Sequence, residues 1–474
     1  SVVFCIFYDH FQISYYRQFT LVDLISVLVF KRCHFIVTSI LIFKPNDFVM
    51  APRTSSWPAW TNISSTDSCI KSADDWIEAH RKEDGADGLW RIHDGLYDLR
   101  RWINLHPGGP QWLEMTRGTD VTELFETYHV NAEAAARPLR NYYVRRATSP
   151  RTSPFTFEPD GFYNVLRSRV ATELRSTGNG RAKSALVVDT CFLVALVLCV
   201  AVARTQHYTS ALAAGVTLAL GTVASHNFTH LADNWRMYYM ELSFLSVREW
   251  RISHVLSHHV FTNTVQDLEM TLFYPFLHWF PTDDKPFTVR WAPYLTPVVY
   301  PFVLPGQFFI RTFKRKNDIT NFLIFVIPTI LFFCGSTTIT IMCVCKLWLT
   351  MILTSSFVFT FLGLSVSHHF PNNFHDGDYV STERIDWGLH QMETSAERNE
   401  LIDNFFITMV TFGDHTLHHL FPSLDHSVIL NLQDTFKYTC EEFGLDLTQK
   451  PFTTIVRGQF KQLVRITPKN PKKK

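Results

Sequence analysis

Two pairs of long apolar runs constrain this chain more than any other feature. Residues 184–203 and 208–225 are apolar and nearly adjacent, joined by Arg204, Thr205, Gln206 and His207. Residues 321–334 and 340–366 form a second pair, whose joint at Gly335 to Thr338 carries no charge. Backbone polar groups in lipid must be satisfied within the segment, so runs of this kind read as four membrane helices. Two hairpins return the chain to its starting side each time. Arg181 and Lys183 precede the first pair, and Arg311, Lys314, Arg315 and Lys316 the second, so the positive-inside bias puts both flanks in the cytoplasm. Residues 291–310 are apolar too, but Pro293, Pro297, Pro301 and Pro305 make them an interfacial or re-entrant segment. Asp189 interrupts the first run and should face protein rather than lipid.

Three histidine clusters follow these runs: His226 with His230, His254 with His258 and His259, and His415 with His418 and His419. They hold eight of the chain's 21 histidines. At three- or four-residue spacing on a helix, imidazoles share a face. With residues 291–310 not spanning, all three clusters lie on the cytoplasmic side and can converge on metal. By donor type such a shell suits iron, zinc, copper or nickel. Zinc takes only four ligands, so eight or more imply two ions. Net charge is +1, which gives no argument for nucleic acid. Of nine cysteines, Cys191, Cys199, Cys334, Cys343 and Cys345 lie in apolar runs and read as free buried thiols of a reducing compartment. Asn62 and Asn227 begin glycosylation-like triplets, but the topology puts both in the cytoplasm.

Residues 75–146 read as a small domain. Residues 89–93 suit a strand, Asp94 and Gly95 a hairpin turn, and 96–99 the returning strand. Residues 100–105 suit a short helix ended by His106, Pro107, Gly108 and Gly109, and 111–116 a second, stopped at Gly118. Asp120 with Glu123 makes a capping-box-like start for a helix over 121–128, and Asn131 caps the next. Trp90, Tyr97, Asp98, the His106 to Gly109 run, Asp120 to Thr122, Phe125 and His129 give this stretch a resemblance to cytochrome b5. The resemblance implies haem b held axially by His106 and His129. With both axial positions filled, such an iron passes electrons rather than binding oxygen. The pattern departs from that family at Thr127 and Tyr128, where Val-Gly is usual before the second histidine.

Around this domain, residues 147–160 repeat a Thr-Ser-Pro unit and read as an extended linker. At roughly 3.1 Å per residue, a dozen of them reach roughly 40 Å, enough to swing the domain over a neighbouring surface. Residues 162–177 suit an amphipathic helix with Arg167, Arg169 and Arg175 on its polar side, on the membrane or in solvent. Residues 1–49 lack a clean helical period and precede the first methionine, Met50. They are expected to be upstream-translated, non-native sequence; the alternative is an extra membrane anchor. Residues 461–474, ending in Lys472, Lys473 and Lys474, read as a basic tail, solvated or facing lipid headgroups.

The clusters, with Trp250, Arg251, Asn263, Gly413, Asp414 and the Leu420 to Pro422 run beside them, give residues 161–460 a resemblance to membrane fatty-acyl desaturases and hydroxylases. The whole resembles the cytochrome b5-fused desaturases, most closely the insect cytochrome b5-related proteins. The fold implied is a mainly α integral membrane protein of the four-span histidine-box type, with a small N-terminal α+β haem domain. In the b5-fused front-end desaturases the third box usually begins with Gln, where this chain has His415. The family also takes a ligand just after the last span, a place His368 fits. The implied diiron set is His226, His230, His254, His258, His259, His368, His415, His418 and His419. No catalytic residue is assigned beyond these ligands. His369 and His390 are read as supporting residues, with Gln391 and Glu393 orienting ligands.

A haem donor on the same chain argues for a redox metal, hence two non-haem iron ions. The resemblance implies that O2 is reduced there while two hydrogens leave an acyl chain, on an acyl-lipid or acyl-CoA substrate. The haem delivers one electron at a time and is reloaded by an NAD(P)H-dependent cytochrome b5 reductase. The implied location is the endoplasmic reticulum membrane, multi-pass, with haem domain and boxes cytoplasmic. Two alternatives stay open: a fatty-acid or sphingolipid hydroxylase with the same diiron site, and a non-enzymatic membrane-anchored cytochrome b5 electron carrier.

Overall fold

The computed structural model of the protein describes residues 55–60, 72–175, 180–272, 277–283, 285, 287–314, 319–365, 367–398 and 404–470. The expectations for residues 1–49, Asn62, Arg315, Lys316 and Lys472 to Lys474 lie outside these residues. The fold is mainly helical, with a small sheet in the N-terminal haem-type domain.

That domain starts with α1 (Ala73–Glu83), capped by Ser72, whose hydroxyl accepts from Asp75 N at 3.3 Å. Strands β1 (Trp90–Ile92) and β2 (Gly95–Tyr97) pair antiparallel, Trp90 opposite Tyr97, and β3 (Tyr143–Arg146) adds to β2. Three short helices follow the hairpin: α2 (Pro110–Thr116), α3 (Thr122–Tyr128) and α4 (Ala132–Leu139). Trp90, Ile92, Leu99, Leu113 and Val121 form the core. Two local expectations are corrected. Residues 100–105 form two single 3-10 turns, Leu99–Arg101 and Ile103–Leu105. Asp120 and Glu123 make no capping box. Asp120 Oδ1 accepts from Thr122 N at 3.0 Å, while Glu123 pairs with Arg151 at 2.5 Å.

The linker is not free to swing. Arg151 bonds Asp120 and Glu123, Ser153 donates to Glu123 at 2.6 Å, and β4 (Phe155–Thr156) pairs in parallel with β5 (Ile385–Asp386). Its Thr-Ser-Pro composition suited a spacer, but these partners lie far off in the chain. Helix α5 (Phe162–Glu173) buries Phe162, Tyr163, Leu166 and Val170 against the rest of the protein, with Arg167 paired to Glu126 and Arg169 to Glu442.

Among the described residues, three helices are long and apolar enough to cross a membrane: α6 (Arg181–Thr205), α7 (Tyr208–Thr229) and, later, Ile341–Ser365. The third expected span is shorter. A 3-10 stretch, Ile319–Phe325, leads into α8 (Val326–Cys334), of nine residues. Helix α9 (Ile341–Ser365) packs beside α7, where Gly215 lets the two backbones approach. The two hairpin joints meet, Gln206 Nε2 donating to Ser336 Oγ at 3.0 Å. At the other end of α6, Ser184 donates to Asp425 at 2.5 Å, just past the last histidine cluster. The proline-rich 291–310 segment is broken into Ala292–Val299, a 3-10 turn, and the start of Val303–Lys314. Asp189 meets Arg236 at 2.8 Å and Tyr239 at 3.2 Å, so it faces protein.

Some charges and thiols depart from expectation. Arg311 is buried, bonded to Asn321 at 3.0 Å and 3.6 Å from Glu241, so it is a structural ion rather than a free flanking charge. Cys191 and Cys199 are buried, but Cys345 is exposed on α9. The described part of the basic tail is anchored by particular side chains, though much of it is exposed. Helix Phe452–Val464 runs into it, Arg465 grips Asp378 at 2.6 and 2.9 Å, and Lys469 donates to Asn373 O.

Candidate functional site

Local winding decides where each histidine points. At the end of α7, His226 and His230 lie one α-helical turn apart, their Nε2 atoms 2.9 Å from each other. Residues Arg251–His258 are wound as a π-helix. In an α-helix His259 would turn about 140° away from His254. The wider π turn, with its i to i+5 repeat, brings the two to the same side with Nε2 atoms 3.1 Å apart, and sends His258 another way. Helix α10 (Trp387–Thr394) precedes the last cluster, which sits on α11 (His415–Leu420). There His415 and His419 share a face, while His418 diverges by about 60° to 100°.

The result is two groups. His226, His230, His254, His259 and His418 converge in one, and His258, His368, His415 and His419 in the other, each with ligand atoms within 4.8 Å of one another. All nine are buried. In the first group His226 Nε2 lies 2.8 Å from His254 Nε2 and 3.2 Å from His418 Nε2. In the second, His368 Nε2 lies 2.6 Å from His415 Nε2 and 3.1 Å from His419 Nε2. Nitrogens that share one ion at about 2.1 Å stand about 3 Å apart, so the donor sets fit two metal ions. The groups contain every histidine of the expected set and exclude His369 and His390. His369 stacks on Trp279 with ring centroids 3.6 Å apart, and His390 Nε2 donates to Thr262 O at 2.9 Å.

The second ring nitrogens are held from outside. Glu269 accepts from His254 Nδ1 at 2.9 Å and Asp267 from His258 Nδ1 at 2.8 Å. Thr394 O takes His368 Nδ1 at 3.0 Å, and Gln391 Oε1 takes His419 Nδ1 at 3.0 Å. Such partners leave Nε2 free to bind metal and fix the ring's orientation. Sequence reasoning found Gln391 but missed Asp267 and Glu269, whose one signal was an acidic pair at the start of a helix soon after a histidine box. It also missed Asn227, His426 and Tyr128. Asn227 is buried, donates to Asp425 at 2.9 Å and accepts from His426 Nδ1 at 2.8 Å. Its glycosylation-like triplet is therefore part of the core. His426 lies beside His418, ring centroids 4.6 Å apart.

Burial, aided by neighbouring imidazoles, pushes His230, His259, His368, His415, His418 and His419 well below the usual histidine range, so their lone pairs stay available. His258 goes the other way. Burial opposes its charge, but Asp267 and Glu269 outweigh it and raise the ring to about 9.

The haem-type domain presents its own pair. His106 and His129 face each other with ring centroids 6.1 Å apart. Gly109 O accepts from His106 Nδ1 at 3.0 Å and Phe125 O from His129 Nδ1 at 2.9 Å, which leaves both Nε2 atoms for a ligand. Two imidazoles on opposite sides of one iron, at about 2 Å each, stand roughly 6 Å apart, so this pair fits a bis-histidine haem. The domain sits against the histidine groups. Arg251 binds Asp233 at 2.6 Å and Gln111 at 2.9 Å, and lies 4.4 Å over the Trp112 ring. Tyr128, next to His129, is 3.0 Å from His230 Nδ1.

Residues 203–451 match the model of the fatty acid desaturase family, and residues 75–148 that of the cytochrome b5-like haem/steroid binding domain. The chain is 36% identical over 413 residues to the cytochrome b5-related protein of Drosophila melanogaster, covering 85% of this chain and 94% of that protein. It is 25% identical to Delta(5) fatty acid desaturase A of Dictyostelium discoideum, covering 82% and 93%. It is 22% identical to the acyl-lipid (8-3)-desaturase of Mortierella alpina, covering 78% and 91%. No solved structure matches the chain.

Proposed function

Because this chain belongs to the fatty acid desaturase family and carries a cytochrome b5-like domain on the same polypeptide, we propose that it is a membrane fatty-acyl desaturase with its own electron donor. The observation that carries this reading is the sorting of nine buried imidazoles into groups of five and four. His226, His230, His254, His259 and His418 would hold one iron ion, and His258, His368, His415 and His419 the other. His106 and His129 would hold haem b.

The two histidine groups would hold two iron ions, which would supply the oxidising power that O2 brings to an unactivated C–H bond. The overall balance is one acyl –CH2–CH2– unit, O2, two electrons and two protons going to –CH=CH– and two waters. O2 takes four electrons, two from the broken C–H bonds and two from the haem domain in separate deliveries. A cytochrome b5 reductase using NAD(P)H would reload the haem. The chain's own residues keep the ligand set oriented. Asp267, Glu269, Gln391 and Thr394 O fix the Nδ1 protons, while Trp250, stacked 4.3 Å from His254, and Phe412, 5.0 Å from His226, wall off one group. An acyl-lipid or acyl-CoA is the substrate class. The relatives named as acyl-lipid desaturases, and the three apolar helices, support a membrane lipid. Arg181 and Lys183, at the histidine end of α6, support a cytoplasmic placement of both centres, and the family resemblance implies the endoplasmic reticulum membrane.

The test is the lipid profile of cells with and without the protein. New double bonds that vanish with His418→Ala, while the haem spectrum stays intact, support the reading. New hydroxyl groups would make it a hydroxylase. Absence of non-haem iron would leave only an electron carrier.

A further inference from the structure

The histidine that would ligate haem and the one that would ligate metal are joined by a single intervening residue. His129 follows Tyr128 in the chain, and the Tyr128 hydroxyl is 3.0 Å from His230 Nδ1. With Nε2 of His230 turned to its group, the proton sits on Nδ1, and Nδ1–H donates to the Tyr128 oxygen. From the His129 ring the route runs through one peptide bond, the phenol ring and one hydrogen bond to the His230 ring. The Tyr128 and His230 rings are nearly parallel, 12° between planes.

Neighbouring contacts hold the two ends in place. Arg251 is buried; it donates to Thr229 O at 3.0 Å and to Leu231 O at 3.0 Å, the carbonyls on either side of His230. The same guanidinium binds Gln111 at 2.9 Å and covers Trp112, whose ring is 6.2 Å from Tyr128. One arginine thus clamps the flanks of His230 to the haem-type domain. Position 128 is also where the chain departs from the usual cytochrome b5 pattern, which has glycine there. A glycine has no side chain to reach His230.

We propose that Tyr128 is the positioning residue that couples the haem to the first histidine group, and that electrons pass by the His129–Tyr128–His230 route. This rests on the desaturase reading above. Each crossing takes one electron from ferrous haem, left ferric, to one ferric ion of the histidine-held pair, left ferrous. Two crossings, with one reloading of the haem between them, complete the pair.

The experiment uses the full-length protein in detergent, loaded with haem and iron, without O2 or acyl substrate. A flash of photoexcited deazaflavin reduces the haem, and its Soret band then reports the electron leaving. In the wild type the haem should reoxidise, and in His418→Ala lacking non-haem iron it should stay reduced. Tyr128→Phe keeps the ring and removes the hydroxyl. It should slow reoxidation severalfold, because the hydrogen bond to His230 Nδ1 is the last link of the route, with haem spectrum, haem potential and iron content unchanged. Tyr128→Trp, read in the same way, should slow it too. Wild-type rates in both variants overturn the proposal. So does slow transfer that merely follows loss of iron or haem in both. An iron-loaded wild type whose haem never reoxidises sinks the desaturase reading as well, which separates the two failures.

Discussion

Asp267→Asn tests how far the second histidine group is held from outside its ligands. The carboxylate is fully buried. Its Oδ2 accepts from His258 Nδ1 at 2.8 Å and from Asn263 N at 2.9 Å, and its Oδ1 from Glu269 N at 3.0 Å. Burial drives charge off the His258 ring, yet Asp267 and Glu269 lift it from its ordinary 6.5 to about 9. That is a net attraction on the order of 3 kcal/mol for positive charge on this imidazole. An ion on Nε2 would feel the same carboxylates. Glu269 remains 3.8 Å away after the substitution, so part of the attraction survives, while the nearer carboxylate of Asp267 no longer contributes its charge or its hydrogen bond. The loss is then on the order of 2 kcal/mol, or roughly 10- to 100-fold in metal affinity, the range such outer partners command. An asparagine that keeps its oxygen toward His258 Nδ1 and Asn263 N also sets its NH2 donor against the Glu269 N–H that Oδ1 now accepts. Chelator competition on the solubilised protein, read as non-haem iron per haem, measures the effect, with the haem spectrum as the check on folding. The variant should lose the ion of the second group first, at a chelator concentration that leaves the wild type loaded. Wild-type affinity in a variant with an intact haem spectrum would refute the reasoning.

Two further outcomes follow from packing and burial. At Gly215 an added Cβ would lie 2.6 Å from Met351 O and 2.7 Å from Thr354 Cβ, so Gly215→Ala should cost roughly 1–3 kcal/mol by pushing α7 from α9. A melting temperature equal to the wild type's, followed by size-exclusion fluorescence in detergent, would show that the helices do not meet there. Lys285 donates to His278 O at 2.9 Å and Leu463 O at 3.0 Å, and burial pushes it down to about 7. Its folded pKa lies below its unfolded one, so its penalty is full below pH 7 and fades as pH rises toward 10.5. Lys285→Met should therefore gain stability relative to wild type as pH falls from 10 to 6, and a constant difference across that range would contradict the burial argument.

The histidines were legible because ligand spacing is local. His226 with His230, and His415 with His419, sit where α-helical periodicity puts them. The division into two groups was not legible. It depends on the π winding of Arg251–His258, a hydrogen-bond register that hydrophobic pattern does not encode. The four-span pattern was read from hydropathy, but the third run is divided between a 3-10 stretch and nine α-helical residues. The linker misled for a plain reason. Thr-Ser-Pro repeats favour extension, whereas whether an extended segment moves depends on partners such as Asp120 and Ile385 that lie elsewhere in the chain. Tyr128 was visible as a departure from the cytochrome b5 pattern. Its meaning needed a partner 102 positions away.

The pinned linker changes how the electron donor has to work. A tethered domain raises local concentration and still leaves to be reloaded. Here Trp76 and Ile77 of α1 share a buried cluster with Ile252, Leu256 and Leu268 of the histidine-bearing domain. Trp76 Nε1 donates to Gln266 O at 2.9 Å, and Arg248 pairs with Asp74 at 2.7 Å. Exposing side chains of this kind costs about 2 kcal/mol each. If even a third of the total were realised, about 3 kcal/mol, the open form would be under about one molecule in a hundred. Undocking once per electron would make that rare form a step in every turnover. A docked donor avoids it, and the Arg251 clamp and the Tyr128 contact then stay made between the first and second electron. On the proposed reading, a redox partner would then reach the haem with the domain in place, from the side away from Gln111 and Tyr128.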